Sequence, residues 1–432
     1  MNSINTGNGC AVNSQEDDPD QNDNDADISY KHFIYDAKKD VNKLSGSVIS
    51  LNNTQKSLQK SLNCIDDDRI FRSINKTILP HKSPTEKAPT VFLPYSTGAN
   101  SSSYSNPKRN MFCGLVNLGN TCYANSCLQI LYNLRQIKKI FLEKKYFGTF
   151  HEIIGRLFEN MTSCKNSIPD KFGYVEPKEF MKEFRKRRKE FTRDEQHDAQ
   201  EFMTVLLDIL HQETNRVYSD KTQMTEPKSQ QEAWNTYIRF IDNSPLSKNF
   251  LGQTESIVTC QKCYNESLSW FCFWQMTLHI SSSTTSLEDC FKEFKEVEKL
   301  EKDSWPTCKK CKARQPATKV QHICRSPHYL FCHLKRFTYD GRKNESKIRI
   351  PDEICVGTKQ YKFQGAVLHS GFMQSGHYTT IISISEGFFL HDDEDVIPIN
   401  EKTENYLRQK LDYDAYMVFY KSMKTISKNN LK

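Results

Sequence analysis

The 432-residue sequence has no run of about 18 uninterrupted apolar residues, so no membrane-spanning helix is expected. Its start lacks a basic stretch followed by an apolar one, so no secretory leader is expected. The acidic run Glu16–Asp27 holds seven acids and no Lys or Arg. It lacks the central Gly and terminal Glu of a calcium loop, so it reads as disorder rather than a calcium site. With those seven negative charges set aside, the net +7 of the chain becomes +14 for the remainder. No basic patch interleaved with aromatics accompanies that excess. Nucleic acid is therefore not the expected partner, and a solvated lysine-rich surface accounts for the charge. The densest basic run, Arg185–Lys189, lies among Phe180, Phe184 and Phe191 and reads as the solvated face of a helix. A nuclear-import signal is its other reading.

Cysteine is plentiful: 15 residues, an odd number spread along the chain. With no leader, that usage points to an intracellular, reducing setting, cytoplasm or nucleus, with thiol chemistry and metal binding. Residues 1–109 show little sustained periodicity and read as a disordered acidic and polar region. Order is expected over 111–422. Residues 111 to about 215 read mainly as helix; Ala199, Phe202, Met203, Leu206, Leu207 and Leu210 recur at helical spacing. From about 250 onward, short apolar runs such as Tyr329–Cys332, Gly365–Leu368 and Thr379–Ile384 alternate with turns and read as strands. Helices followed by strands argue an α+β fold. Residues 423–432 read as a basic tail.

The chemistry concentrates in a few places. Cys122 closes the Gly- and Asn-rich stretch Gly114-Leu-Val-Asn117-Leu-Gly-Asn-Thr-Cys122, where a helix marked by Ala124, Leu128 and Leu131 begins. A thiol at a helix N-terminus is biased toward the nucleophilic thiolate. Cys113 and Cys127 lie nearby without that placement. His377, in Ser375-Gly-His-Tyr378, is the candidate base, with a neutral imidazole taking the thiol's proton. His369 is its rival and a buttress on the preceding strand. Asp392 is the candidate orienting carboxylate, accepting from Nδ1 of His377, and Asp393 crowds the same turn. Asn117 is either an oxyanion donor or a turn-former. Cys260-Gln-Lys-Cys263 and Cys308-Lys-Lys-Cys311 are two knuckles that together complete a four-thiolate zinc site, with a redox dithiol as the alternative.

These motifs resemble the ubiquitin-specific proteases, papain-like cysteine proteases that remove ubiquitin. Gly114–Gln129 resembles the family's cysteine box, and Gln196–Phe202 its Gln-x-Asp-Ala-x-Glu-Phe helix. Tyr361–Tyr378 with Asp392 resembles the histidine box, and His333-Leu-Lys-Arg-Phe337 a strand motif of similar wording. The resemblance covers about 111–422. It implies a thumb of about 111–215, with fingers and palm over about 216–422 and structural Zn2+ at the fingertips. It also implies a Cys122–His377–Asp392 triad and an oxyanion donor in Asn117. Asp198 and Glu201 would receive ubiquitin's basic tail, and Tyr378 would line the tail channel. The implied partners are ubiquitin and ubiquitinated proteins, with room for an activating partner protein. The implied reaction is thiol-dependent cleavage of the isopeptide bond at ubiquitin's C-terminal glycine. An inactive ubiquitin-binding scaffold and an isopeptidase for another ubiquitin-like modifier are the alternatives. Two departures stand out: Phe388 where the family has Trp, and His391 where it has Phe.

Overall fold

The computed structural model describes residues 112–423, apart from 144–147, 165–171, 194, 218–223, 339–340, 373–374 and 386. The expectations for 1–109 and for 424–432 lie outside the described residues. The first half is helical. After a short strand β1 (Cys113–Leu115) come α1 (Cys122–Asn133), α2 (Arg135–Leu142) and α3 (Phe150–Ser163). Strand β2 (Gly173–Val175), paired in parallel with β1, precedes α4 (Lys178–Arg187) and α5 (Ala199–Gln212).

Helix α1 departs from expectation. Its apolar spacing marks one buried face, yet every residue from Cys122 to Tyr132 is buried. The amide N–H groups of Asn125 and Gln129 offset part of the cost of this burial, although Asn125 Oδ1 and Gln129 Oε1 have no hydrogen-bond partner among the described residues. Asn125 donates to the carbonyls of Leu115 and Val116, and Gln129 donates to that of Cys113 at 2.7 Å. The Ser126 carbonyl accepts from Thr380 Oγ1 at 3.0 Å. Helix α5 begins at an Asp198 cap whose Oδ1 accepts from the N–H groups of Gln200 (2.7 Å) and Glu201 (3.0 Å). Such a cap stabilises a helix by about 1 kcal/mol. Its apolar stripe packs Phe202 against Phe180 and Phe184 of α4 and against Phe191. The basic run at the end of α4 is held on the surface: Arg187 reaches Glu183, and Arg188 reaches Asp208.

Helices α6 (Gln230–Phe240) and α7 (Ser247–Phe250) lead into the strands. Strands β3 (Gly252–Cys260) and β4 (Glu266–Phe273) form a hairpin, followed by β5 (Met276–Leu278), α8 (Leu287–Phe294) and β6 (Glu298–Lys299). Then come β7 (Ala317–Arg325), β8 (Tyr329–Leu334), β9 (Glu353–Val356), β10 (Lys359–Phe372) and β11 (Ser375–Ile384). Strands β12 (Gly387–Asp392) and β13 (Asp395–Pro398), helix α9 (Glu401–Asp414) and β14 (Ala415–Ser422) complete the chain. One sheet runs β4-β3-β7-β6. The larger runs β13-β12-β11-β10-β14-β8-β5, with β9 on β10. The expected strands at 329–332, 365–368 and 379–384 fall within β8, β10 and β11.

The centre of the large sheet is apolar on both faces: β8 and β14 are almost wholly buried. Helix α1 lies over β11, where the Thr380–Ser126 bond pins it. Arg336, just past β8, is fully buried. Its guanidinium donates to the carbonyls of Ala415, Asn344, Ser346 and Asp412, at 2.6–3.0 Å. It thereby ties the segment after β8 to the end of α9.

Residues 300–316 form a unit separate from this body. Within it the Trp305 indole donates to the Leu300 carbonyl, and Arg314 donates to the carbonyls of Lys302, Asp303 and Trp305.

Candidate active site

The turn before α1 reverses the chain through Gly119 (φ 94°) and Asn120 (φ 52°). Nothing lies within 4 Å of a side chain added at Gly119, so the left-handed backbone is what requires glycine there. The Asn117 carbonyl oxygen Oδ1 closes the turn, accepting from the N–H groups of Gly119 (3.0 Å) and Thr121 (3.1 Å). Cys122 follows as the first residue of α1, 5% exposed, at the positive end of the helix. The first N–H groups of a helix have no carbonyl partner within it and aim outward beside the thiol.

Strand β11 brings His377 to this point and β12 brings Asp392. Nε2 of His377 lies 2.6 Å from Asp392 Oδ1. That corrects the expected use of Nδ1. With Nε2 taken by the carboxylate, Nδ1 is the nitrogen left for the thiol. The imidazole's pKa is pushed up to about 10, first by the Asp392 bond and next by a hydrogen bond with Cys122, against the opposing effect of burial. The charged imidazolium is therefore the favoured form at neutral pH, rather than the neutral base that the sequence suggests. Gly376, next to His377, donates its N–H to Gln196 Oε1 at 2.8 Å, which ties the histidine strand to the approach of α5.

The two adjacent acids part company. Asp392 ends β12, and Asp393, at φ 50°, begins the tight turn to β13. The Asp393 carboxylate accepts from Nδ2 of Asn117 and of Asn125, both at 2.8 Å. Burial raises its pKa, and the two amide bonds oppose that. Its carbonyl accepts from Leu115 N–H at 2.8 Å. At Gly114 a Cβ would come within 2.1 Å of the Glu394 carbonyl oxygen, so only glycine lets β1 lie against this turn. Asn117 is thus a turn-former that also has an amide held by Asp393. Asn125 lies inside the cysteine-box stretch, but nothing in its spacing marks it as an anchor for a residue 268 positions away.

His369 is buried on β10 against Tyr378, Phe337 and Tyr416, and burial lowers its pKa to about 4. It lies behind Gly376, where a Cβ would meet its Nε2 at 2.0 Å. Tyr378 is buried beside it and also packs on Tyr416. The Tyr416 hydroxyl donates to Asp198 Oδ2, so both oxygens of Asp198 are engaged. Glu201 is exposed on the first turn of α5.

The two cysteine knuckles share one backbone design. In each, the first cysteine's carbonyl accepts from the residue four positions on: Tyr264 N–H to Cys260 and Lys312 N–H to Cys308, both at 2.9 Å. Tyr264 and Lys312 have φ of 55° and 57°. The Sγ atoms of Cys260, Cys263, Cys308 and Cys311 lie within 4.8 Å of one another and could hold a metal ion. Among the described residues no helix is long and apolar enough to cross a membrane.

The family model described as ubiquitin carboxyl-terminal hydrolase matches residues 113–420. Among curated relatives, Usp2 of Drosophila melanogaster is 30% identical over 345 residues, covering 74% of this chain and 36% of that protein. Ubiquitin carboxyl-terminal hydrolase 21 of Rattus norvegicus is 27% identical over 362 residues, covering 72% and 61%. Human ubiquitin carboxyl-terminal hydrolase 2 is 30% identical over 343 residues, covering 71% and 54%. The chain thus spans roughly a third to three fifths of the length of these relatives. In structure it is similar to Ubp8 in the SAGA Ubp8/Sgf11/Sus1/Sgf73 DUB module bound to ubiquitin aldehyde. That match has a TM-score of 0.57 at 21% identity and covers 75% of this chain and 72% of that one. The likeness shows a shared α+β catalytic-domain fold.

Proposed function

The chain belongs to the ubiquitin carboxyl-terminal hydrolase family, and on that premise we propose that it is a cysteine deubiquitinase that cleaves the isopeptide bond at ubiquitin's C-terminal glycine. The observation that carries this reading is His377, bonded to Asp392 on one side and to the Cys122 thiol on the other. His377 takes the proton of the Cys122 thiol and is held as the imidazolium by Asp392. The Cys122 thiolate attacks the carbonyl carbon of the terminal glycine. The resulting oxyanion meets the N–H groups at the start of α1 and the Asn117 amide, which Asp393 keeps in place. His377 passes its proton to the departing lysine amine, then draws one from the water that cleaves the thioester and frees ubiquitin.

Glu201, exposed on the first turn of α5, would receive the basic tail of ubiquitin. Asp198 would act mainly by capping α5 and anchoring Tyr416, and Tyr378 would wall the channel. The four knuckle cysteines would hold a structural Zn2+; soft, closely spaced thiolates suit that ion. Ubiquitinated proteins would be the substrates, and a partner protein that aligns the site would be a natural activator.

The test is fluorophore release from a ubiquitin C-terminal amide by the purified chain and by Cys122→Ala. Turnover that disappears in the variant supports the proposal. Ubiquitin binding without turnover in either protein, even at high enzyme concentration, would favour a binding scaffold instead.

A further inference from the structure

Building on the deubiquitinase reading, we propose that Lys343 and Asp414 are positioning residues for His377: a charge pair that holds the end of β10, the strand to which His377 is laddered. The β10–β14 ladder ends at Leu368 and Ala415. Antiparallel pairing would next set His369 against Asp414, but Asp414 is the last residue of α9. Beyond Leu368, β10 is therefore laddered on one side only, to β11. Side chains take over on the other side. Lys343 Nζ donates to the His369 carbonyl at 2.6 Å and lies 3.6 Å from Asp414 Oδ1. Ser370 Oγ donates to Asp414 Oδ2 at 3.0 Å. Lys410, one turn back on α9, donates to the same carboxylate oxygen at 3.1 Å and to Ser370 Oγ at 3.0 Å. The Lys343 side chain is 8% exposed, and a lysine is seldom buried that far without a partner. Burial lowers its pKa and Asp414 opposes that, so the carboxylate favours the charged form. The backbone of Lys343 is anchored as well. It bridges to Phe337, and the next residue, Asn344, exchanges hydrogen bonds with Arg336.

These anchors act one strand away from the chemistry. In the β10–β11 ladder His369 pairs with Tyr378, and Ser370 with His377. Residues directly opposite in an antiparallel ladder share a face at about 5 Å, so Ser370 is the cross-strand neighbour of the histidine. The coupling has no slack. A Cβ at Gly376 would meet Nε2 of His369 at 2.0 Å, so the His369 ring lies hard against the residue before His377. Past Ser370 only the pairs Gly371–Gly376 and Phe372–Ser375 remain, and Phe372 is exposed. A short exposed hairpin end opens easily. Its geometry is therefore set at its base, where Lys343 grips the His369 carbonyl and Asp414 grips Ser370. Without that grip the end of β10 shifts, and β11 carries His377 with it. A displacement of about 1 Å at a reacting group costs up to about a hundredfold in rate. Lys343 and Asp414 thus act through the strand, and His377 remains the catalytic residue.

The test compares the full chain with Lys343→Met, Lys343→Arg and Ser370→Ala in two assays. One is turnover of a ubiquitin C-terminal amide, separated into kcat and KM. The other is iodoacetamide alkylation of Cys122 near neutral pH, read from its peptide after digestion, which needs no ubiquitin. Lys343→Met should lower kcat roughly tenfold or more with KM nearly unchanged. It should also slow the alkylation, because the imidazolium that sustains the thiolate is displaced. Lys343→Arg keeps the charge and should recover most of both. Ser370→Ala keeps the charge pair and should show a smaller loss of the same kind. Thermal unfolding identifies the variants that fold, and Ser370→Ala decides alone if Lys343→Met does not. Parental kcat and alkylation rate in the deciding variant would overturn the proposal. So would a loss in Lys343→Arg equal to that in Lys343→Met. No turnover by the parent would instead overturn the deubiquitinase reading, and the alkylation rates would still decide whether Lys343 positions His377.

Discussion

His391 carries the sharpest pH-dependent prediction that this fold makes. It stands on β12 directly before Asp392, and it is 2% exposed. Neither ring nitrogen has a hydrogen-bond partner among the described residues. Its surroundings are apolar: the Phe112 ring lies 5.9 Å away and itself stacks on Phe389 at 3.9 Å. Burial alone depresses its pKa to about 3. A neutral imidazole buried without partners costs about 1–3 kcal/mol at any pH. The titration adds a second cost with a defined window. Above the unfolded pKa of about 6.5 neither state is charged, and the group adds no pH dependence. Below it the unfolded chain takes a proton that the folded chain refuses. Stability then falls by about 1.4 kcal/mol per pH unit until pH approaches the folded value. At pH 5 that loss is about 2 kcal/mol. His391→Phe should therefore stabilise the fold at pH 8 and stabilise it by about 2 kcal/mol more at pH 5. Any overpacking by the larger ring is independent of pH, so the difference between the two gains isolates the titration. Urea unfolding of both proteins at the two pH values measures it. Parallel stability-versus-pH curves for the two proteins would refute the account of His391 as a buried, unpartnered imidazole.

Asp392→Asn removes the largest cause of the raised His377 pKa. The alkaline limb of kcat/KM, expected near pH 10 in the parent as the imidazolium loses its proton, should move toward neutrality. An unmoved limb in a pH–rate profile would mean that Asp392 does not set that pKa. Asn125→Ala deletes the amide that joins Asp393 Oδ1 to the Leu115 and Val116 carbonyls. It should lower kcat roughly tenfold or more with little change in KM; equal kcat in steady-state kinetics would exclude a positioning role. Arg336→Met strands four carbonyls that now accept from a buried guanidinium. It should cost about 3–5 kcal/mol in chemical denaturation, and a loss below about 1 kcal/mol would show that water replaces the guanidinium readily.

Some of this arrangement was legible in the sequence because the chemistry needs particular residue types at particular places. A cysteine after Gly-Asn-Thr at a helix start, a histidine after glycine, and two Cys-x-x-Cys knuckles are patterns that local backbone geometry itself demands. The matching αL residues Tyr264 and Lys312 show that demand directly. The helical period of α5 and the apolar runs of β8, β10 and β11 reflect the same local logic. What stayed hidden depends on partners far along the chain. The full burial of α1 could not be read from an amphipathic spacing, because Asn125, Ser126 and Gln129 find their partners on β1, β11 and the turn after β12. Arg336 reads as a basic residue in a strand motif until the backbone around it is seen to offer only carbonyls.

The pair Asp392–Asp393 shows why such limits are physical. Successive residues of a strand project to opposite faces, so two adjacent acids are not interchangeable even where the sequence presents them as equals. Asp392, the last residue of β12, keeps the strand's direction and meets His377. Asp393 enters the left-handed conformation at φ 50°, and its carboxylate is delivered instead to Asn117 and Asn125. One acid thus faces the proton carrier and the other faces the amides beside the nucleophile. The turn to β13 separates the two functions, and Gly114 is what lets β1 come close enough to receive it. A change that relaxed this turn would disturb both sides of the site at once, and so in part would a change in Asp393, whose carboxylate lies within 4.8 Å of both the His377 ring nitrogen and Asp392.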